Sequence, residues 1–410
     1  LFLTVLARND WSSTLPANSN SFFYPGANVS FVFTELTGTN SILSVGKVRA
    51  SWGMTGNDAM PYQVRSVMIP GQVTLPFGNI DYPFAGVSGY EVSNRIGNTE
   101  LQPEITTEIE VGGDFRLFNN RARLDVAYYN RKTENQILAV PVSPSTGYTS
   151  QTKNLGNIQN KGVEINLNVD VLKRQDFSWS IGGNFTKNVN EVLELNDDLE
   201  EVLLFEAYEI DMVAIPGQPI GVIKGHVEAR DSVSGGIIVN ASGIPTTATE
   251  KEIYGDVNPD FTIGMNTRMS YKGFTLSAVA DYRKGGLMYS YTQRLTQFVG
   301  NATVSLFNER RPFIVPNSVK PGTEEGTYVE NDIPVDMSDI FTYWNQTNNN
   351  SRSQDHVFDR TYFKLREVSL SYDLPQSWLS NTPIGSVRVS VLGRNLLLFT
   401  PEINNIIDPE

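Results

Sequence analysis

Residues 177–186 read FSWSIGGNFT. On an extended backbone successive side chains point to opposite faces. Phe177, Trp179, Ile181 and Phe185 therefore share one face, and Ser178, Ser180, Asn184 and Thr186 share the other. One face is apolar and the other is wet. The division recurs from Glu104, where Ile105, Thr107, Ile109, Val111, Phe115 and Leu117 oppose Glu104, Thr106, Glu108, Glu110, Asp114 and Arg116. It returns after Gly162, where Val163, Ile165, Leu167, Val169 and Val171 oppose Glu164, Asn166, Asn168 and Asp170. After Asp260, Phe261, Ile263, Met265, Met269 and Tyr271 oppose Thr262, Asn266, Arg268 and Ser270.

Extending this reading outward gives about eleven strands, at 1–8, 22–36, 44–56, 104–118, 121–138, 155–171, 176–188, 258–271, 274–285, 361–374 and 385–398. Many exceed the five or six residues usual in soluble sheets. The connections alternate in length. Short ones fall at 119–120, 172–175 and 272–273, with a moderate one at 375–384; long ones fall at 57–103, 139–154, 189–257 and 286–360. A transmembrane antiparallel β-barrel requires this rhythm, with short periplasmic turns and long extracellular loops, whereas a soluble sandwich has no reason for it. Aromatic residues fit two girdles. Phe115, Phe118, Phe177, Trp179, Tyr271, Phe274 and Tyr372 lie near the short turns, and Tyr128, Phe185, Phe261 and Tyr282 lie near the long loops. In lipid every backbone N–H and C=O must be paired, so the sheet has to close. By parity the first and last strands both run outward. A return strand is therefore expected after Glu410, and an unseen portion before Leu1.

Composition narrows the function. The 410 residues contain 32 Lys and Arg against 45 Asp and Glu, a net charge of −13, which argues against broad nucleic-acid binding. With no cysteine, disulfide frameworks, thiol catalysis and Cys-ligated zinc are excluded. The only histidines, His226 and His356, lack metal-ligand spacing and read as ordinary polar loop residues. No run of about 18 apolar residues would form a membrane-spanning helix. Glycine-rich spots such as Gly235-Gly236 and Gly285-Gly286 lack the strand–loop–helix setting of a phosphate or dinucleotide site. No cofactor and no enzymatic activity are expected.

Several segments, in order, then carry a resemblance. ARNDWSSTLP at 7–16, SFFYP at 21–25, ASWGMTGND at 50–58, GNTELQPE at 97–104, AYYNR at 127–131, STGY at 145–148, NIQNKGVE at 157–164, YRKGG at 282–286, YFKLREVSLSYDLP at 362–375 and GRNLL at 393–397 resemble signatures of the SusC/RagA family of TonB-linked outer-membrane transporters. The resemblance covers the chain from end to end. It implies a 22-stranded barrel with an N-terminal plug in the outer membrane of Bacteroidota. It also implies a SusD/RagB-like surface lipoprotein as lid, and TonB-driven import of an oligosaccharide or oligopeptide. On that footing residues 1–410 are the C-terminal half of the barrel domain. The plug, the TonB-contacting segment, the signal peptide and the last strand are expected to lie outside this chain.

The candidate site residues fall into two sets. Glu104, Glu108, Glu110, Asp114 and Arg116 are expected to face the lumen, as a solvated wall crossed by ion pairs with Arg121, Arg123 and Asp125 nearby and not as the paired carboxylates of a glycosidase. Tyr82, Phe84, Tyr90, Tyr289, Tyr291, Phe341, Tyr343 and Trp344 cluster in outer loops, where flat rings stack on sugar faces or peptide side chains or pack against a lid. The acidic run Glu191, Glu194, Asp197, Asp198, Glu200, Glu201, Glu206, Glu209 and Asp211 lacks the spacing of a calcium loop and reads as a solvated outer loop. The rival readings are a surface β-rich binding protein or adhesin, whose strands would be covered by a second sheet, and a surface glycan hydrolase.

Overall fold

The computed structural model describes residues 1–75, 78–195, 199–345, 350–402, 404 and 407–409. Eleven strands of ten to eighteen residues dominate it. They are β1 (Phe2–Trp11), β2 (Ser21–Val32), β3 (Leu43–Asn57), β4 (Glu104–Leu117), β5 (Ala122–Glu134), β6 (Asn157–Lys173), β7 (Phe177–Glu194), β8 (Phe261–Tyr271), β9 (Phe274–Lys284), β10 (Tyr362–Asp373) and β11 (Arg388–Phe399). By internal contacts the chain divides into two compact units. One holds Leu1–Leu172, Ser180–Leu204 and Ala214–Ile220; the other holds Lys173–Trp179, Phe205–Val213 and Gly221–Glu410.

In the first unit β1 to β7 are hydrogen-bonded in sequence order. Register turns the period-two pattern into rows. Leu3, Val29, Ala50, Val111, Tyr128 and Val163 stand side by side across six strands. One residue along, on the opposite face, the row reads Thr4, Asn28, Ser51, Glu110, Tyr129 and Gly162. The apolar rows are bare, with Leu3 70% and Val5 74% exposed. A contiguous apolar face of this extent is stable only against lipid or a partner. Among the described residues the short loop strands pair among themselves in small separate sheets.

The second unit repeats the arrangement across β8 to β11. Ile263, Tyr282, Phe363 and Phe399 form one apolar row, and Tyr271, Phe274, Tyr372 and Val389 another. Ser270, Thr275, Ser371 and Ser390 form a polar row beside the latter. The rings within a row touch. Phe274 and Tyr372 have centroids 4.4 Å apart, and Phe363 and Phe399 are 6.1 Å apart. The eight-residue step from Phe274 to Tyr282 on β9 spans about 27 Å of strand, or about 20 Å of height at a ~40° tilt, close to the apolar band of an outer-membrane barrel. The β8–β9 turn needs only Lys272 (φ 43°) and Gly273 (φ 88°), the left-handed pair of a two-residue hairpin. Among the described residues no helix is long and apolar enough to cross a membrane.

Three strand ends differ from the sequence reading by four residues or more. The segment 22–36 stops at Val32 and turns into a short helix, Thr34–Thr37. The strand read as 176–188 runs on to Glu194. The single strand expected over 121–138 breaks at Asn135, which takes φ 59° and accepts from Asn154 Nδ2 at 2.8 Å. The chain resumes as Ile137–Pro141, paired with Ser150–Asn154.

The outer loops have cores of their own. In the second unit Ile237, Val239, Ile244, Phe313, Val315, Val335, Tyr343 and Trp344 pack together, and Ile210, Ile223 and Val357 form a smaller cluster with Tyr254 and Tyr289 against it. These loops fold as small domains on the strand ends.

Candidate functional site

On the polar face of the first unit, Arg49 of β3 is the organising residue. It stands opposite Gly112, where a Cβ would come within 2.9 Å of its guanidinium carbon. The missing side chain leaves the fork free to lie across the wall. From there it donates to Asp125 at 2.7 Å and Glu110 at 3.2 Å, with Asp114 at 3.3 Å. Lys47 reaches Asp114 at 3.0 Å and Arg131 reaches Glu108 at 2.5 Å. Glu104 accepts from Asn57 Nδ2 and from the backbone N–H of Ile137, both at 2.8 Å. Arg116 is exposed and opposite Arg123. Glu104, Glu108, Glu110, Asp114 and Arg116 thus lie on one face. The basic partners Lys47, Arg49 and Arg131 were missed, although alternation in 44–56 sets Lys47 and Arg49 opposite Val48, Ala50 and Trp52. These carboxylates are tied to cations or amides. Such a surface offers hydrogen bonds to a polar solute or polypeptide, and neither a proton donor nor a nucleophile is set apart for hydrolysis.

A buried polar cluster lies in the second unit's loops. Glu209 sits at the turn before Ile210–Ala214, next to Tyr208 in the left-handed region at φ 55°. Helix α1 (Tyr291–Phe298), capped by Ser290 accepting from the Gln293 N–H at 3.0 Å, supplies Arg294 and Gln297. Arg294 Nε donates to Glu209 at 2.9 Å. His356 Nδ1 meets Glu209 at 2.9 Å, and its Nε2 meets the side-chain amide of Gln297 at 2.9 Å. Tyr289 donates its hydroxyl to Glu209 at 3.4 Å. Burial alone would raise the Glu209 carboxyl, but the bonds from His356 and Arg294 outweigh it and hold the group below the ordinary glutamate value. The Tyr289 phenol is pushed up, first by burial and then by the Glu209 charge.

These placements correct two expectations. His356 is no ordinary polar loop residue: it is fully buried, at 0% exposure, while His226 is part-buried and its Nδ1 has no hydrogen-bond partner among the described residues. Glu209 does not belong to a solvated acidic loop, because it is 3% exposed and paired. Asp197 and Asp198 lie outside the described residues. Among the described residues no group of three or more His, Asp or Glu side chains is placed to hold a metal ion. Nothing in the local sequence flags the cluster, since Glu209 and His356 are 147 positions apart.

The aromatic candidates separate by exposure. In the first unit Phe84 and Tyr90 are exposed and Tyr82 half-buried. In the second, Tyr291 stacks on Tyr208 with centroids 4.6 Å apart, and the Arg294 guanidinium lies 4.6 Å from the Tyr208 ring. Phe341, on helix α2 (Ile340–Trp344), is 56% exposed, whereas Tyr343 and Trp344 on the same turn are 7% and 6% exposed. Arg352 covers the latter two, with its guanidinium 4.7 and 4.6 Å from their rings. Phe341 joins Phe298, Val299, Met337, Ile340 and the remaining edge of Trp344 around an open groove of about 540 Å³.

Comparison with known proteins places this geometry in context. The family model described as "TonB dependent receptor-like, beta-barrel" matches residues 1–396. The TonB-dependent receptor P3 of Formosa agariphila is 28% identical over 97% of this chain and 39% of its own length. The TonB-dependent receptor SusC of Bacteroides thetaiotaomicron is 23% identical over 83% of this chain and 33% of its own. The chain therefore spans well under half the length of these relatives. A solved structure, the RagAB peptide transporter, superposes with a TM-score of 0.72 at 21% identity, covering 98% of this chain and 42% of that one, which shows the same fold.

Proposed function

Since the chain belongs to the TonB-dependent receptor-like β-barrel family of the outer membrane, we propose that it forms wall strands and outer loops of a transporter that imports a bulky nutrient. The solute is an oligosaccharide or oligopeptide, a SusD/RagB-like lipoprotein closes over the loops, and the energy comes through TonB from a part of the protein outside this chain. The observation that carries this reading is the alternation of registered rows. The row from Leu3 to Val163 meets lipid, and the adjoining face with Arg49, Glu110 and Asp125 meets water. A wet charged wall inside an apolar shell suits the passage of a hydrated solute, and the ion pairs leave it no catalytic group. The chain binds and conducts and does not catalyse.

The test uses the full-length protein. Extracted from outer membranes in detergent, it is expected to run as a heat-modifiable barrel and to bring down a second, lipidated chain. Uptake of a labelled oligosaccharide or oligopeptide is expected to stop when TonB is removed. Recovery as a soluble monomer without detergent would sink the proposal.

A further inference from the structure

We propose that the outer end of the lipid-facing surface of β5, β6 and β7 binds a phosphorylated glycolipid of the outer leaflet, with Lys132, Lys161 and Lys187 contacting the phosphate. On β6 this face reads Val171, Val169, Leu167, Ile165, Val163 and then Lys161. On β5 it reads Ala122, Leu124, Val126, Tyr128 and then Asn130 and Lys132. Register sets Tyr128 beside Val163, Asn130 beside Lys161 and Lys132 beside Gln159. The apolar face thus ends at one level on both strands, and a basic, amide-rich level begins.

The third lysine comes from β7, where Ile181 and Phe185 precede Lys187 on the same face. β6 and β7 are hydrogen-bonded neighbours joined by three residues, so they run antiparallel. Asn188 donates to Asn160 across the seam at 2.9 Å on the polar face, and the Lys187 carbonyl presses on Gly162, 2.4 Å from where a Cβ would stand. Lys187 therefore flanks Lys161 on the lipid side. Lys132 is diagonal to Lys161, with Cα atoms about 7–8 Å apart.

Like charges side by side in a ladder repel, so this grouping calls for an anion. The chain supplies Glu134 at 2.8 Å from Lys132, with the Glu194 charge also acting on Lys132, and Glu191 at a long 4.0 Å from Lys161. Lys187 is exposed and has no ion pair among the described residues, so its ammonium group is the one left to meet an external anion. Depth identifies the anion's source. From Val171 to Val163 is about 27 Å of strand and about 20 Å of height at a ~40° tilt, and Lys161 stands one step higher, where acyl chains give way to headgroups. The long connection after β7 marks this as the outer side. Lysine stems lie along acyl chains while the ammonium groups reach the headgroup level. Asn130 and Gln159 at the same level suit sugar hydroxyls. The occupant thus has apolar tails, an anionic head and hydroxyls in that vertical order.

This inference rests on the outer-membrane reading, and the test separates the two. Full-length protein in mild detergent is offered purified phosphorylated lipid A, its phosphatase-treated form, or inorganic phosphate, and bound species are read by native mass spectrometry. Wild type is expected to retain phosphorylated lipid A at least ten-fold better than the phosphatase-treated form, a comparison that needs no variant. The triple variant Lys132→Gln, Lys161→Gln, Lys187→Gln is expected to remain a heat-modifiable barrel and to lose that preference. Lys173→Gln, on the same strand at the opposite end, is expected to keep it. Equal retention of the two lipids by wild type, or an unchanged preference in the triple variant, overturns the site. Displacement by equimolar inorganic phosphate overturns its assignment to lipid.

Discussion

His356 Nδ1 lies 2.9 Å from Glu209 Oε1 and joins two outer loops that enter the second unit 147 residues apart. Neither group could be buried alone. An isolated carboxylate would shed its charge, and an isolated imidazole would leave a ring nitrogen without a partner. Together with Arg294 and Gln297 they tie the turn before Ile210–Ala214 to helix α1 and to the stretch leading into Val357–Asp359. The loops around Glu209 thereby become one body.

Removing His356 takes a hydrogen-bond partner from Glu209 and from Gln297 in a buried site, which costs about 1–3 kcal/mol. His356→Ala is therefore expected to open the loops around Glu209 while the strand sheet stays folded. Hydrogen exchange checks this: faster exchange confined to residues 205–225 and 287–298 is expected, and unchanged exchange there would remove the latch.

The same cluster sets a pH dependence. The Glu209 carboxyl is held below the ordinary glutamate value, so the folded loops bind its proton less readily than the unfolded loops do. Its stabilising contribution is complete above the ordinary glutamate value and is lost as pH falls through the lower folded value. His356, Arg294 and Tyr289 are the titratable or charged groups that contact it. Protease resistance of the outer loops is expected to hold at pH 7 and fall in acid below the glutamate range. Glu209→Gln, already uncharged, is expected to flatten that profile.

On the polar face of the first unit Arg49 holds Glu110, Asp114 and Asp125, and Asp114 and Asp125 are directly opposite each other. Arg49→Met leaves three neighbouring carboxylates with Lys47 beside Asp114 as their remaining cation among the described residues. The pairs are partly solvated, so the expected loss is modest, about 1–2 kcal/mol for the network, and smaller in high salt. Urea titration of the folded barrel at two ionic strengths measures it; a loss that does not shrink with salt would assign Arg49 a packing role instead.

A pair of arginine substitutions tests which face meets lipid. Leu167 lies on the apolar face near mid-height of β6, and its neighbour Asn166 faces Asp125 on the polar side. Leu167→Arg is expected to cost about 2–4 kcal/mol in vesicles, as a charge near the midplane does, and Asn166→Arg less than about 1 kcal/mol. Equal costs would contradict the assignment of the two faces.

The strands were legible because lipid on one side and water on the other force a strict alternation, and four quoted stretches already display it. The break at Asn135 was not, since it depends on a left-handed backbone held by Asn154. The loop cluster was illegible for a different reason. Glu209 sits in a run of acids whose other members look identical in sequence, and its partners are brought in by tertiary packing. Likewise Tyr343, Trp344 and Phe341 form one aromatic group by composition, and only the fold puts two inside and one outside.

That last distinction separates rings packed inside a loop from one that stands open on a groove. Trp344 is buried beneath Arg352 with Tyr343 against it at 4.9 Å between centroids. Trp344→Ala is expected to cost the loop about 3–5 kcal/mol, as large-to-small changes in packed cores do, and to show as faster proteolysis. Phe341 lines the open groove with Phe298, Val299 and Met337, so Phe341→Ala is expected to leave loop stability within about 0.5 kcal/mol. If the lid covers this groove, the same change is expected to weaken its retention roughly ten-fold, since exposed aromatic anchors carry a large share of interface energy. Pull-down of the lipoprotein by each variant, paired with proteolysis of the free barrel, distinguishes the cases. A Phe341→Ala barrel that keeps its lid at full affinity would move the docking face elsewhere on the loops.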